Sequence, residues 1–265
     1  MRLAFSTLGV PAMPVAQVIG LATDHGYHGV ELRASPEEPV HTGLSADERA
    51  RVAEQFQKAG IEILTVAAYA KVAAAGEDAP VLDEIAAALR LAADLGAANV
   101  RVFPGGRDLP SDEADALAAR RLAAAAEVAQ DLGVRVLLET HDSHRGGADA
   151  ARVLGRVGHH AVGAIWDLMH TWLAGEQPSV TYPVLAPYLG YVQVKDIASA
   201  ADTTPLPLGA GVLPLAETVE VLSRADWDGW LCWEYEKRWH PGAADLPGLL
   251  GPAREHLTRL LSDSA

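Results

Sequence analysis

Two rhythms of apolar residues alternate along this chain. Short runs rich in β-branched and aromatic residues, such as Ile61–Val66, Val100–Phe103, Val134–Glu139 and Val162–Asp167, are separated by longer Ala/Leu-rich stretches with charges at helical spacing, among them Pro80–Leu95 and Asp112–Leu132. A glycine recurs where a helical stretch gives way to the next short run. Asp24-His-Gly26 precedes Gly29–Leu32, Lys58-Ala-Gly60 precedes Ile61, Asp94-Leu-Gly96 precedes Val100, Asp131-Leu-Gly133 precedes Val134, Val157-Gly158 precedes Val162, and Tyr188-Leu-Gly190 precedes Tyr191–Lys195. Glycine there stops a helix, because it adopts the left-handed conformation without steric cost. With Leu3–Thr7 and Trp230–Glu234, the strand-like runs number eight.

Eight strands alternating with helices imply parallel βαβ units, and that number fits closure into a (β/α)8 barrel. The expected organisation is one α/β barrel domain over residues 1–265, of ordinary size for the class. A doubly wound open sheet is the competing architecture. Against it, Gly9-Val-Pro-Ala-Met-Pro14 after the first run breaks the glycine fingerprint such a sheet uses for dinucleotides.

Composition narrows the function. A formal charge of −14 argues against nucleic acid as a partner, since phosphate binding relies on clustered Lys and Arg. The N-terminal apolar run is too short for a signal peptide, and no uninterrupted apolar stretch of about 18 residues follows, so the chain is expected to be cytoplasmic and without membrane contact. Its single cysteine, Cys232, excludes an internal disulfide and sits among strand residues as a buried thiol. A small carbohydrate-like substrate fits these limits, and a homo-oligomer is compatible with them.

Three of the strand-like runs end in a carboxylate, at Glu139, Asp167 and Glu234, and a fourth carries the amide Gln193 at the matching place. In a parallel barrel the C-terminal strand ends meet at one mouth, where catalytic groups gather. Oxygen-bearing side chains at successive strand ends suggest a hard divalent cation. Each one alone is as readily a helix cap or a solvated acid.

The segments Leu138-Glu139-Thr-His141, Trp166-Asp167-Leu-Met-His170, Tyr191-Val-Gln-Val-Lys-Asp196 and Trp233-Glu234-Tyr-Glu-Lys-Arg-Trp-His240 resemble the xylose-isomerase-like barrel superfamily of sugar isomerases and epimerases, over essentially the whole chain. The resemblance implies one metal ion held by Glu139, Asp167, Gln193 and Glu234. The usual third ligand is His; Gln193 resembles the hydroxypyruvate-isomerase-like and dehydroshikimate-dehydratase-like members. An all-oxygen shell of this kind favours Mn2+ or Mg2+ over zinc. The implied activity is isomerisation or epimerisation of a ketose, sugar or small hydroxy-carbonyl compound through an enediolate, with Glu139 and Glu234 as the acid and base.

His170, three residues after Asp167, matches the family's substrate-touching histidine, or is a helix-start residue packed on Trp172. Lys195 and Asp196 bind substrate or pair with each other. Arg33, Tyr69, Glu31 and Arg101 stand where they can line the mouth, although strand parity sends about half of such residues elsewhere. Arg238 and His240 either close over the substrate or form a solvated loop, and Leu208-Gly-Ala-Gly211 is either an anion-binding loop or a plain one. His159-His160 reads as structural. A dehydratase of an inosose, or of a cyclic keto acid whose carboxylate Arg33, Arg101, Lys71 or Arg238 could hold, competes with the isomerase reading. A non-catalytic sugar-binding barrel is a further alternative, while a DNA-repair endonuclease lacks its extra metal-binding histidines here.

Overall fold

The computed structural model describes residues 1–264. Eight parallel strands close into a barrel: β1 (Arg2–Ser6), β2 (Gly29–Arg33), β3 (Glu62–Lys71), β4 (Asn99–Phe103), β5 (Arg135–Glu139), β6 (Val162–Asp167), β7 (Leu189–Val194) and, last in the ring, the strand Trp230–Trp233. Between β7 and that last strand lies an antiparallel hairpin, β8 (Ile197–Ser199) and β9 (Asp202–Pro205), so the closing strand is β10. The ring runs β1-β10-β7-β6-β5-β4-β3-β2, a single-domain (β/α)8 barrel as the pattern predicts. The hairpin has no counterpart in the strand count from the sequence.

Helices α1 (Val15–Asp24), α2 (Ala46–Ala59), α3 (Asp78–Leu95), α4 (Ser111–Leu132), α5 (Gly147–Val157), α6 (Leu168–Leu173), α7 (Pro178–Leu185), α8 (Leu215–Arg224) and α9 (Leu250–Asp263) surround the strands. Gly60, Gly96, Gly133 and Gly158 end α2 to α5 with φ of 67°, 72°, 67° and 60°, the left-handed cap expected of them. Gly190 corrects the same expectation. It lies inside β7, where a Cβ would come within 2.5 Å of the Leu137 side chain, so close packing requires it rather than helix termination.

Side-chain alternation divides each strand between two environments. Val30, Leu32, Val100, Val102, Val136, Leu138, Trp166, Val192 and Val194 face outward and pack with the helices in the main core. Ala4, Leu64, Leu137, Ile165, Tyr191 and Cys232 face inward and form a small second core that fills the barrel. The inward positions nearer the mouth are polar: Glu31, Arg101, Glu139, Asp167, Gln193, Lys195 and Glu234 are all buried. A polar layer on an apolar plug is what a site at the C-terminal strand ends requires. His159 and His160 stack in the loop before β6, at the opposite end of the barrel. Among the described residues, no helix is long and apolar enough to cross a membrane.

Candidate active site and metal centre

Glu139 ends β5, Asp167 ends β6, and Glu234 follows β10, so three different strands deliver carboxylates to one place. One oxygen from each lies within 4.8 Å of the others, and the residues are 1%, 0% and 3% exposed. Asp167 divides its labour: Oδ1 accepts from the backbone N–H groups of Met169 (2.8 Å) and His170 (3.2 Å), capping α6. That leaves Oδ2 buried and without a hydrogen bond; the Lys195 ammonium is 2.7 Å away but outside hydrogen-bonding geometry. Gln193 sits beside Asp167 in the β6–β7 register, and its Oε1 is likewise buried and unpartnered.

Those donors fit a divalent ion. Buried polar atoms are normally satisfied, and the bare Gln193 Oε1 beside Asp167 and the two further carboxylates makes an all-oxygen donor set that suits a cation. Glu139, Asp167 and Glu234 are thus brought together, with Gln193 beside Asp167 and bonded to Glu234 through its amide N–H.

Two cations share the acids. Arg101 reaches Glu139 (3.2 Å) and Glu234 (3.3 Å) through Nη1 and the Ala68 carbonyl through Nε and Nη2. Lys195 contacts Asp167, Glu234 and Glu236. Burial pushes Glu139 well above the ordinary carboxylate range; Arg101 opposes the shift, while Glu234 and Asp167 reinforce it. For Lys195 burial acts downward, and the carboxylates of Asp167, Glu234 and Glu236 outweigh it, so the ammonium is held well above its usual value. His170 moves well below its ordinary value, through burial first and then the neighbouring His141 and Lys195.

Above the acids opens a cavity of about 390 Å3, lined by Tyr69, Lys71, Arg101, His141, His170 and Trp239 among others. His170 and Tyr69 thus reach the mouth as expected. Lys195 is instead directed into the acid cluster. Arg33 does not line the cavity; its guanidinium donates to Tyr69 Oη at 2.6 Å, Glu37 at 2.6 Å and Glu38, and so props Tyr69. Arg238 pairs with Glu37 at 3.1 Å on the rim, and Trp239 beside it faces the cavity.

Asp196 departs furthest from the substrate-binding expectation. Its carboxylate accepts the backbone N–H groups of Ile197, Gly209, Gly211 and Leu213 and makes no pair with Lys195. The N–H groups of the Gly209–Gly211 loop do meet an anion, and that anion is Asp196.

Sequence reading gave His141, Glu236 and Trp239 no role. For the first two a signal existed: His141 is two residues beyond Glu139, and Glu236 two beyond Glu234, so each continues the inward face of its strand. Lys195 obeys the same rule relative to Gln193.

Residues 19–260 match the family described as xylose isomerase-like TIM barrel. The chain belongs to that family. Solved structures of similar fold include the IOLI protein with a bound zinc atom, 17% identical, covering 100% of this chain and 99% of that one with a TM-score of 0.85. The probable 3-DHS dehydratase AsbF from Bacillus anthracis is 18% identical over 97% of this chain and 99% of its own, with a TM-score of 0.82. D-psicose 3-epimerase from Clostridium cellulolyticum H10 is 15% identical over 98% and 99%, with a TM-score of 0.84. At such identities the likeness establishes the fold alone. No curated protein matches the sequence.

Proposed function

We propose that this chain is a divalent-metal-dependent enzyme that moves a proton beside the carbonyl of a small sugar-like or hydroxy-carbonyl substrate, as an isomerase or epimerase. One observation carries the reading: three carboxylate oxygens from β5, β6 and the end of β10 converge within 4.8 Å. Glu139, Asp167, Glu234 and the amide oxygen of Gln193 would hold the ion. Four oxygen donors favour Mg2+ or Mn2+, although the similarly folded IOLI protein carries zinc. When bound, such an ion polarises the substrate carbonyl and stabilises the charge left after deprotonation.

The chain's own groups move the proton. Glu139 and Glu234 approach from β5 and β10, with two strands of the ring between them, so one can take a proton from carbon and the other return it. Burial pushes the Glu139 carboxyl well above its ordinary range in the ion-free chain, and a bound dication would oppose that shift and favour the carboxylate. Arg101 and Lys195 keep the acids oriented and partly neutralised. His170, near-neutral by its burial, and Tyr69 face the cavity and offer hydrogen bonds to substrate hydroxyls.

Glu139→Gln and Glu234→Gln should each lower kcat by roughly 10²-fold or more at saturating Mn2+, the usual worth of a positioned proton carrier. Near-normal turnover by both variants would end the two-carboxylate assignment. The substrate is found by incubating the Mn2+-loaded chain with ketoses, hydroxy acids and inosose in D2O and following deuterium entry by NMR.

A second reading, dehydration, is favoured by Lys71. It lines the cavity and makes no ion pair among the described residues, so it is placed to receive a substrate carboxylate. The same proton removal, followed by departure of a β-hydroxyl, would release water. In the D2O experiment this appears as a new C=C signal in place of simple exchange.

A further inference from the structure

Below the acid cluster the barrel interior holds a buried group that the proposed chemistry does not use. Glu31, on β2, is fully enclosed and faces β7 across the barrel, with β1 and β10 between them in the ring. Its Oε2 accepts the phenol O–H of Tyr191 and, at 3.1 Å, the Nε2–H of Gln193. The second Nε2–H of Gln193 goes to Glu234 Oε1, also at 3.1 Å. Both amide protons are thus spoken for, and the buried Oε1 is left bare.

We propose that Glu31 is the positioning residue for Gln193: by accepting the amide N–H, it leaves the amide oxygen as the face presented to a metal ion. The inference rests on the metal-dependent reading above. An amide has two nearly isosteric orientations. The flipped one would set Oε1 about 3 Å from two carboxylate oxygens and leave the buried amine without an acceptor, a cost that hydrogen bonding to charged groups makes decisive. Tyr191, donating to the same Oε2, fixes the carboxyl that fixes the amide.

The arrangement parallels the way a metal-ligating imidazole donates its second N–H to a carboxylate, an outer contact worth about 10- to 100-fold in metal affinity. It also accounts for how an amide can stand where a histidine would serve. Either side chain needs one atom for the ion and one N–H for Glu31.

The test is Mn2+ affinity, measured on the whole chain by the electron paramagnetic resonance signal of free Mn2+. Glu31→Gln keeps an acceptor oxygen and should bind close to wild type. Glu31→Met combined with Tyr191→Phe, which leaves no phenol stranded, should weaken binding about 10- to 100-fold, and Gln193→Ala should weaken it to a similar extent. Adding Gln193→Ala to that pair should cost nothing further. A Glu31→Met, Tyr191→Phe variant that binds as wild type overturns the positioning role and leaves the metal reading standing. So does a further loss in the triple variant, which would mean that Glu31 acts on the ion by charge rather than through Gln193. If the wild-type chain takes up no divalent ion, both readings fall together.

The unmodified chain supplies a second measurement that needs no variant to fold. Loaded with Mg2+, the Gln193 side-chain amide protons should exchange slowly in a 15N-labelled sample, because both are donated inside the barrel. Rapid exchange of both overturns the proposal.

Discussion

Replacing Lys195 by Met removes a buried ammonium while keeping most of its apolar stem. Nζ lies 2.7 Å from Asp167 Oδ2 and 2.8 Å from Glu236 Oε1, and it also contacts Glu234. At an effective dielectric of about 20, each such contact represents about 6 kcal/mol of Coulomb attraction. Desolvation offsets most of that, and deleting one partner of a buried pair costs about 3–5 kcal/mol, because the remaining charges are stranded. The metal-free chain should lose that amount, a large part of the roughly 5–15 kcal/mol by which a domain is ordinarily stable. Urea unfolding in EDTA, followed by tryptophan fluorescence at constant m-value, measures it. The pH dependence has a definite sign. Burial lowers the Lys195 pKa, the surrounding carboxylates more than restore it, and the folded value stands well above the ordinary one. The contribution is therefore complete below the unfolded value of about 10.4 and lost as pH rises through the folded value, so the difference between wild type and variant should not shrink from about pH 6 to about pH 9. A loss under about 1 kcal/mol, the size of an exposed pair, or a difference that shrinks across that range, would refute the argument.

Asp196→Ala strips four backbone N–H groups of their acceptor and should cost about 3 kcal/mol or more, with proteolytic nicking between residues 197 and 213 as its sign. Cys232 is wholly buried and its thiol is pushed well above the ordinary value, first by burial and then by Glu31, so it should react with a thiol reagent only as the chain unfolds; rapid labelling of the native chain would contradict this. Gly163→Ala would bring a Cβ within 2.4 Å of the Tyr188 carbonyl oxygen and should destabilise by more than about 1 kcal/mol, whereas Gly20→Ala, in open space within α1, should stabilise by about 0.5–1 kcal/mol; thermal unfolding of the pair checks both signs.

The eight strands, most of the helix stops and the strand-end carboxylates were legible because they are local. Strand runs alternate by two, a left-handed glycine ends a helix, and a strand-end carboxylate announces itself by its place after an apolar run. Glu139, Asp167 and Glu234 needed only the further assumption of a closed barrel to meet. The tertiary structure decided what depends on register around the ring. Tyr191 and Gln193 reach Glu31, some 160 residues away, only because closure and strand stagger bring those inward positions to one level. Asp196 follows Lys195 in sequence yet faces the hairpin loop instead of the acids, since successive side chains of an extended chain point opposite ways. Gly190 reads as a helix stop and proves to be a gap filled by Leu137 of another strand. Local pattern specifies which residues are strand and which face they take; which side chains then touch across the barrel is set by ring closure, and no window of sequence contains that.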